Sequence, residues 1–194
     1  MPTKGDLTKQ RILTIARELF YSKGFDATST AEIARGANVS EATMYKYYKS
    51  KKELLIASIQ PTYIVEDLAD CSHFTNAELI EHWMETFFKK VENNLQQYII
   101  LFSESVKYPE ASESYLKLFH QVLESDVELE KRVAKGLLPN VDITILKVGI
   151  IGALIAMLQH MIIYKQLDEL TTIPQNIKDL IRDLINGRLV NAQN

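Results

Sequence analysis

Only one cysteine, Cys71, occurs in the 194 residues, so no internal disulfide and no CxxC metal or redox pair is possible. Histidine is nearly as scarce, and His73, His82, His120 and His160 show neither HExxH nor any other metal-ligand spacing. A glycine-rich phosphate loop is absent. Ser114 and Lys117 match S-x-x-K, but the SDN and KTG partners of that catalytic pattern are missing. These absences argue against an enzyme and leave no motif for a cofactor or metal. Long apolar runs are lacking too: "VGIIGALIAML", residues 148–158, is the longest at 11 residues, against the ~18 of a membrane span. The opening "MPTKGDLTKQ" has no apolar export core. The expectation is a cytoplasmic protein with no membrane partner. With seven glycines and five prolines, and apolar residues recurring at helical rather than alternating spacing, the chain reads as all-α.

The net charge of -3 conceals an uneven distribution. Residues 1–60 carry ten basic residues (Lys4, Lys9, Arg11, Arg17, Lys23, Arg35, Lys46, Lys49, Lys51, Lys52) and six acidic ones (Asp6, Glu18, Asp26, Glu32, Glu41, Glu53), a balance of +4 that leaves -7 for the remainder. A basic end on an acidic body suits a polyanionic partner at one end only.

The basic end has its own punctuation. "LTKQRILTIARELFYSKG" sets Ile12, Ile15, Ala16, Leu19 and Phe20 on one helical face, and Gly24 stops it. Ser29 with Glu32 forms a capping box that opens a short second helix. Gly36 and Asn38 then supply left-handed turn positions. Ser40 caps a third helix, and "SKKE" at 50–53 repeats the capping box before a fourth. A short helix, a tight turn and a second capped helix make a helix-turn-helix, whose second helix enters the major groove.

The decoration of that helix supports the same reading. Val39 and Met44 face the core, which turns Glu41, Ala42, Thr43, Tyr45, Lys46 and Tyr47 outward. Small Ala42 and Thr43 permit close approach to base edges, and the threonine methyl suits a thymine methyl. Tyr45 and Tyr47 offer hydroxyls to phosphates, while Lys46, Lys49, Lys51 and Lys52 supply the charge that releases counterions. The helix starts at Lys51 and at Ser29–Thr30 add backbone N–H groups. Tyr48, one turn after Met44, is expected beneath the reading helix.

"FDATSTAEIARGANVSEATMYKYYKSKKELL", residues 25–55, resembles the N-terminal domain of TetR-like transcriptional regulators. The likeness lies in the threonine-rich approach to the second helix, Ile-Ala within it and the Val-Ser start of the third. It continues through Thr-hydrophobic-Tyr-x-(His/Tyr)-(Phe/Tyr) and a Ser-Lys-x-Glu-Leu start to the fourth. It runs over about residues 7–58, and past residue 60 is architectural only. The resemblance implies a helix-turn-helix domain over residues 1–52 and a larger helical domain over 53–194 that binds a ligand and dimerises through its last two helices. By position, Thr28, Ser29, Thr30, Ser40, Thr43, Tyr45, Tyr47 and Lys51 match the family's operator contacts. Two positions depart from the pattern. Asn38 replaces the usual glycine, and Glu41 brings negative charge near DNA, either reading a cytosine amino group or pointing away.

In the body, helices are expected from Thr75 to about Gln97, with "IILFSESVK" at 99–107 following and closed by Tyr108-Pro109, then from about Glu110 to Gly136, from Asn140 to Gln166, and after Pro174. Gly149, Gly152, Ala153 and Ala156 form a small-residue stripe, and Ile177, Leu180, Ile181 and Leu184 an apolar one, which together suit a four-helix homodimer seam. Trp83, Phe87, Tyr98, Phe102, Tyr115, Phe119, Met157 and Met161 are candidates to line a site for a mostly apolar small effector, with Glu104, His120 and His160 as its polar groups. The reading overall is a ligand-responsive regulator, a repressor, that binds a palindromic operator on double-stranded DNA as a homodimer. The alternative is a helical protein-interaction module with a basic N-terminus.

Overall fold

The computed structural model describes residues 2–61, 71–114, 117, 127–163 and 172–189. Helices α1 (Lys4–Lys23), α2 (Thr30–Gly36), α3 (Glu41–Tyr47) and α4 (Lys51–Ser58) precede a 3-10 turn at Cys71–His73. They are followed by α5 (Asn76–Glu92), α6 (Leu95–Glu104), a helical stretch α7 described over 109–114, α8 (Val127–Ala134), α9 (Ile143–Ile163) and α10 (Gln175–Leu189). No strand occurs among the described residues, so the all-helical expectation holds. The break expected after about Gln97 falls earlier: α5 ends at Glu92 and α6 begins at Leu95, with the Asn94 amide donating back to the Lys90 carbonyl at 2.8 Å.

Contacts divide the chain into two units, Met1–Pro61 with Gln96–Leu118, and Thr62–Leu95 with Phe119–Asn194. The boundary expected between residues 52 and 53 falls inside α4, and the first unit takes up most of α6 as well.

The first unit is organised around α1. Thr3 opens this helix with a capping box: its hydroxyl accepts from the Asp6 N–H at 3.2 Å, and the Asp6 carboxylate accepts from the Thr3 N–H at 2.9 Å. Ile12, Ala16 and Phe20, four residues apart, are buried on α1, which packs on α2, α3 and α4, where Ile33, Ala34, Met44, Leu54 and Leu55 are buried too. Each such large apolar side chain contributes about 1.5–3 kcal/mol relative to exposure. Two arginines on α1 satisfy carbonyls at helix ends: Arg11 Nε donates to Ala37 O at 2.7 Å and Arg17 Nε to Ser58 O at 3.1 Å.

The α2–α3 corner corrects one expectation. Asn38 takes the left-handed backbone, at φ 52°, and Val39 N–H closes onto Ala34 O at 2.9 Å. Gly36, however, is the last residue of α2, and its value lies in having no side chain: a Cβ there would stand 2.7 Å from Ile15 Cγ2 on α1.

In the second unit, α5 buries Leu79, Ile80, Met84, Phe88 and Val91, while α10 buries Ile181 and Ile185. Lys178 and Arg182, one turn apart on α10, lie 5.6 and 5.4 Å from the Phe88 ring centre, and they pair with Glu92 (2.7 Å), Glu81 (3.3 Å) and Glu85. On α9, Ile143, Lys147, Ile150, Leu154 and Leu158 are buried along one stripe.

Because alanine ordinarily exceeds glycine in a helix by up to ~1 kcal/mol, the sign of Gly36→Ala is diagnostic. We expect Gly36→Ala to lower stability by about 1–3 kcal/mol through overpacking against Ile15, read as a lower urea midpoint. Ile15→Ala in the same chain should show favourable coupling in a double-mutant cycle.

Candidate nucleic-acid interface

Three caps build the presented surface. Ser29 caps α2: its Oγ accepts from Glu32 N–H at 3.2 Å, and Glu32 Oε2 accepts from Ser29 N–H at 3.0 Å. Ser40 caps α3 by accepting from Thr43 N–H at 3.1 Å, and its hydroxyl lies 2.9 Å from the Thr43 hydroxyl. Ser50 caps α4 by accepting from Glu53 N–H at 3.1 Å. Here the expected reciprocal box is displaced by one residue, because the Glu53 carboxylate takes the N–H of Lys49 at 2.6 Å instead of that of Ser50.

With these caps in place, Met44 is wholly buried and Tyr48 nearly so, its hydroxyl 3.5 Å from Lys9 O and its ring under the Lys9 ammonium at 5.7 Å. Burial, assisted by Glu53, pushes the Tyr48 phenol up. Ser29, Ser40, Glu41, Ala42, Tyr45 and Lys46 are exposed, and Thr30, Thr43, Tyr47 and Lys51 are half-buried. A Cβ at Gly5 would stand 3.7 Å from the Tyr47 hydroxyl, so Tyr47 lies beside the start of α1.

Thr28 is not part of this surface. It is buried, and its hydroxyl donates to Gly24 O at 2.9 Å with Leu19 O also within 3.2 Å, closing the end of α1. Thr30 and Glu41 meet each other, with Thr30 Oγ1 donating to Glu41 Oε2 at 2.9 Å. Lys51 is partly committed: its ammonium sits 4.3 Å over the Phe25 ring and 3.4 Å from Asp26 O.

Phe25 and Asp26 also receive the end of α6, an arrangement invisible in the sequence. Glu104 is buried, and its Oε1 accepts from Phe25 N–H at 3.2 Å. The Tyr108 ring meets Phe25 edge-on at 4.8 Å, its hydroxyl donates to Asp26, and Lys107 lies 3.4 Å from Asp26. The Asp26 carboxylate holds the Tyr108 phenol up at about 12 and is itself held below its ordinary value by the same hydrogen bond. Lys52 reaches Glu110 at 3.3 Å. These partners stand 58 to 82 residues apart, so no local signal announces them.

Among the residues expected to bind effector, Glu104 therefore serves the α1–α2 loop. Trp83 and Phe87 stack at 5.7 Å and 9° in the second unit, and Tyr98 and Phe102 at 6.5 Å and 22° in the first. Met157 is half-buried and His160 exposed. Tyr115, Phe119 and His120, and the side chain of Met161, lie outside the described residues. A groove of about 600 Å³ in the first unit runs along α1 and α4 between Lys9, Leu13, Tyr48 and Ile56, and none of these candidates lines it.

Residues 12–58 match the family model for bacterial regulatory proteins of the tetR family. Over this segment the chain is similar to TetR-like transcriptional regulators. It is 50% identical over 50 residues to YvkB of Bacillus subtilis, an HTH-type transcriptional regulator, a match spanning 26% of each chain. It is 28% identical over 129 residues to the biofilm operon icaADBC HTH-type negative transcriptional regulator IcaR of Staphylococcus epidermidis, covering 66% of this chain and 68% of IcaR. The crystal structure of NalD, the secondary repressor of the MexAB-OprM multidrug efflux pump in Pseudomonas aeruginosa, superposes with a TM-score of 0.69 at 19% identity. That superposition covers 97% of this chain and all of NalD, and establishes likeness of fold. Regulators of this TetR-like family bind DNA and typically dimerise.

The Ser29–Glu32 cap carries a pH signature. The Lys23 ammonium, 2.7 Å away, and the two Ser29 donors lower the Glu32 carboxyl from 4.5 to about 2. A folded value below the unfolded one means that the stabilisation is complete above about 4.5 and is lost as pH falls towards about 2. Thermal melts across that window should show the parent losing more stability than Glu32→Gln, which lacks the titrating group.

Proposed function

We propose that this TetR-like regulator is a ligand-responsive repressor that binds a palindromic operator as a homodimer, in the cytoplasm, with a mostly apolar small molecule as its effector. The observation that carries the DNA reading is the exposure of Ser40, Glu41, Ala42, Tyr45 and Lys46 on a helix capped at Ser40 and anchored by buried Met44 and Tyr48. On this reading Tyr45 and Lys46 meet phosphates, while Ala42 and Thr43 approach base edges. Two copies would present α3 to successive major grooves, about 34–36 Å apart for half-sites one turn apart.

The dimer reading rests on α9 and α10. On α9, the face opposite Lys147 and Leu154 presents Ile145 (69% exposed) and Val148 (42%) together with exposed Gly149, Gly152, Ala153 and Ala156. On α10, Leu180 (53%) and Leu184 (51%) are exposed, and Ile177 is half-buried. Ile181, grouped with them by periodicity, is 1% exposed and belongs to its own subunit's core. The window Ile143–His160 is long and apolar enough to cross a membrane. A helix with one apolar face in its own core and another against a second copy meets the same criterion without lipid.

For the effector, Trp83, Phe87 and Met157 remain the candidates in the second unit. Its release of DNA would act through α6, since that helix's end touches the loop that holds Lys51.

Anisotropy titrations with duplex DNA test the DNA reading. Affinity should fall steeply with salt, and Lys46→Ala should reduce the slope of log K against log salt by about 1. Tyr45→Ala should weaken all sequences alike, whereas Thr43→Ala should change preference at one base position. Absence of binding at low salt, with the fold intact, would leave the protein-interaction reading.

Sedimentation tests the seam. Leu184→Asp and Gly152→Leu should each cost the dimer on the order of 1–3 kcal/mol and lower operator affinity in parallel, while Lys46→Ala leaves the dimer unchanged.

A further inference from the structure

A carboxylate on the outward end of a DNA-reading helix needs an explanation, because phosphates repel it and it has no proton to donate. Glu41 is such a group: it is the first residue of α3 and is exposed. It is not loose, however. The Thr30 hydroxyl at the start of α2 donates to Glu41 Oε2 at 2.9 Å, across the corner between the two helices. A threonine hydroxyl has one hydrogen, so while Thr30 donates to Glu41 it has none for a phosphate. The bond engages Oε2 of the exposed carboxylate and leaves Oε1 available as an acceptor.

In the major groove an acceptor finds two kinds of donor, the N4 amino group of cytosine and the N6 amino group of adenine. Adenine N6 is flanked by acceptors on both sides, N7 of its own ring and O4 of the paired thymine. Cytosine N4 has such a neighbour on one side only, the guanine O6 of its pair. A carboxylate therefore meets less repulsion at cytosine. Resting on the DNA-binding reading above, we propose that Glu41 is a specificity-determining residue that accepts from a cytosine amino group at one position of each half-site, and that Thr30 is its positioning residue rather than a phosphate clamp. Ser40 and Ala42, which flank Glu41 with small side chains, allow the approach.

The test is selection of bound duplexes from a randomised library by the full-length protein and its variants Glu41→Gln, Thr30→Val and Thr30→Ser, each checked by thermal melting. The parent should enrich C·G at one position per half-site, by about fivefold or more over the other pairs. Glu41→Gln should move that single position towards adenine, whose N6 and N7 suit a carboxamide, and leave the others unchanged. Thr30→Val should flatten preference at the same position without altering the salt slope, and Thr30→Ser should restore it. Two outcomes overturn the inference: Glu41→Gln keeps the parent's selected sequence while binding every duplex more tightly, or Thr30→Val lowers the salt slope and weakens all sequences alike. A parent that enriches a sequence with no cytosine in register with Glu41 also refutes it while sparing the DNA reading; a parent that binds no duplex at low salt refutes both.

Discussion

The corner between α2 and α3 is the constraint on which the rest depends. Its two halves are of opposite kinds. Asn38 supplies a backbone conformation, φ 52°, that most side chains resist and that a short amide tolerates. Gly36 supplies an absence, the space Ile15 occupies. Together they bring the end of α2 against α1 and set α3 with Met44 buried beneath it, and the exposed residues of α3 inherit their position from that corner. The Arg11 bond to Ala37 O satisfies a carbonyl the turn leaves behind.

Around that corner, polar groups which look in the sequence like a bank of free contacts are already partly spoken for. Thr28 closes α1, Thr30 holds Glu41, and Lys51 lies over Phe25. Lys46 and Tyr45 remain exposed. A basic segment thus divides into groups that shape the head and groups that face outward, and net charge alone does not distinguish them. The loop that holds Lys51 is also the loop gripped by Glu104, Lys107 and Tyr108, so the chain's middle is mechanically in contact with its basic end. These are exposed pairs built around one buried carboxylate, an arrangement in which individual ion pairs contribute little and geometry contributes most.

The α9 helix shows the converse case. Its composition is apolar on every side, and composition gives no reason to prefer lipid, core or partner. The fold separates two stripes: Lys147, Ile150, Leu154 and Leu158 are buried, and Ile145, Val148, Gly149, Gly152 and Ala153 are left outside. The buried Lys147, paired with Glu130 at 3.7 Å, belongs to the core stripe although its type predicts the surface.

Caps, turns and helical periods are local, and the sequence by itself determined them. Ser29–Glu32, Ser40 and Ser50 start helices where the spacing of hydroxyl and carboxylate requires, and Met44 and Tyr48 fall inward from the 3.6-residue period. Thr3–Asp6 is equally legible as a capping box, ahead of the apolar spacing that marks α1 from Leu7 onward. What tertiary structure decided depends on residues far apart in the chain: the use of Gly36 against Ile15, the commitment of Glu104 and Tyr108 to Phe25 and Asp26, and the burial of Ile181 apart from its neighbours. A side chain's period says which way it points from its own helix axis. Only the packing of a second helix against that face says whether it meets solvent, a carbonyl or another ring.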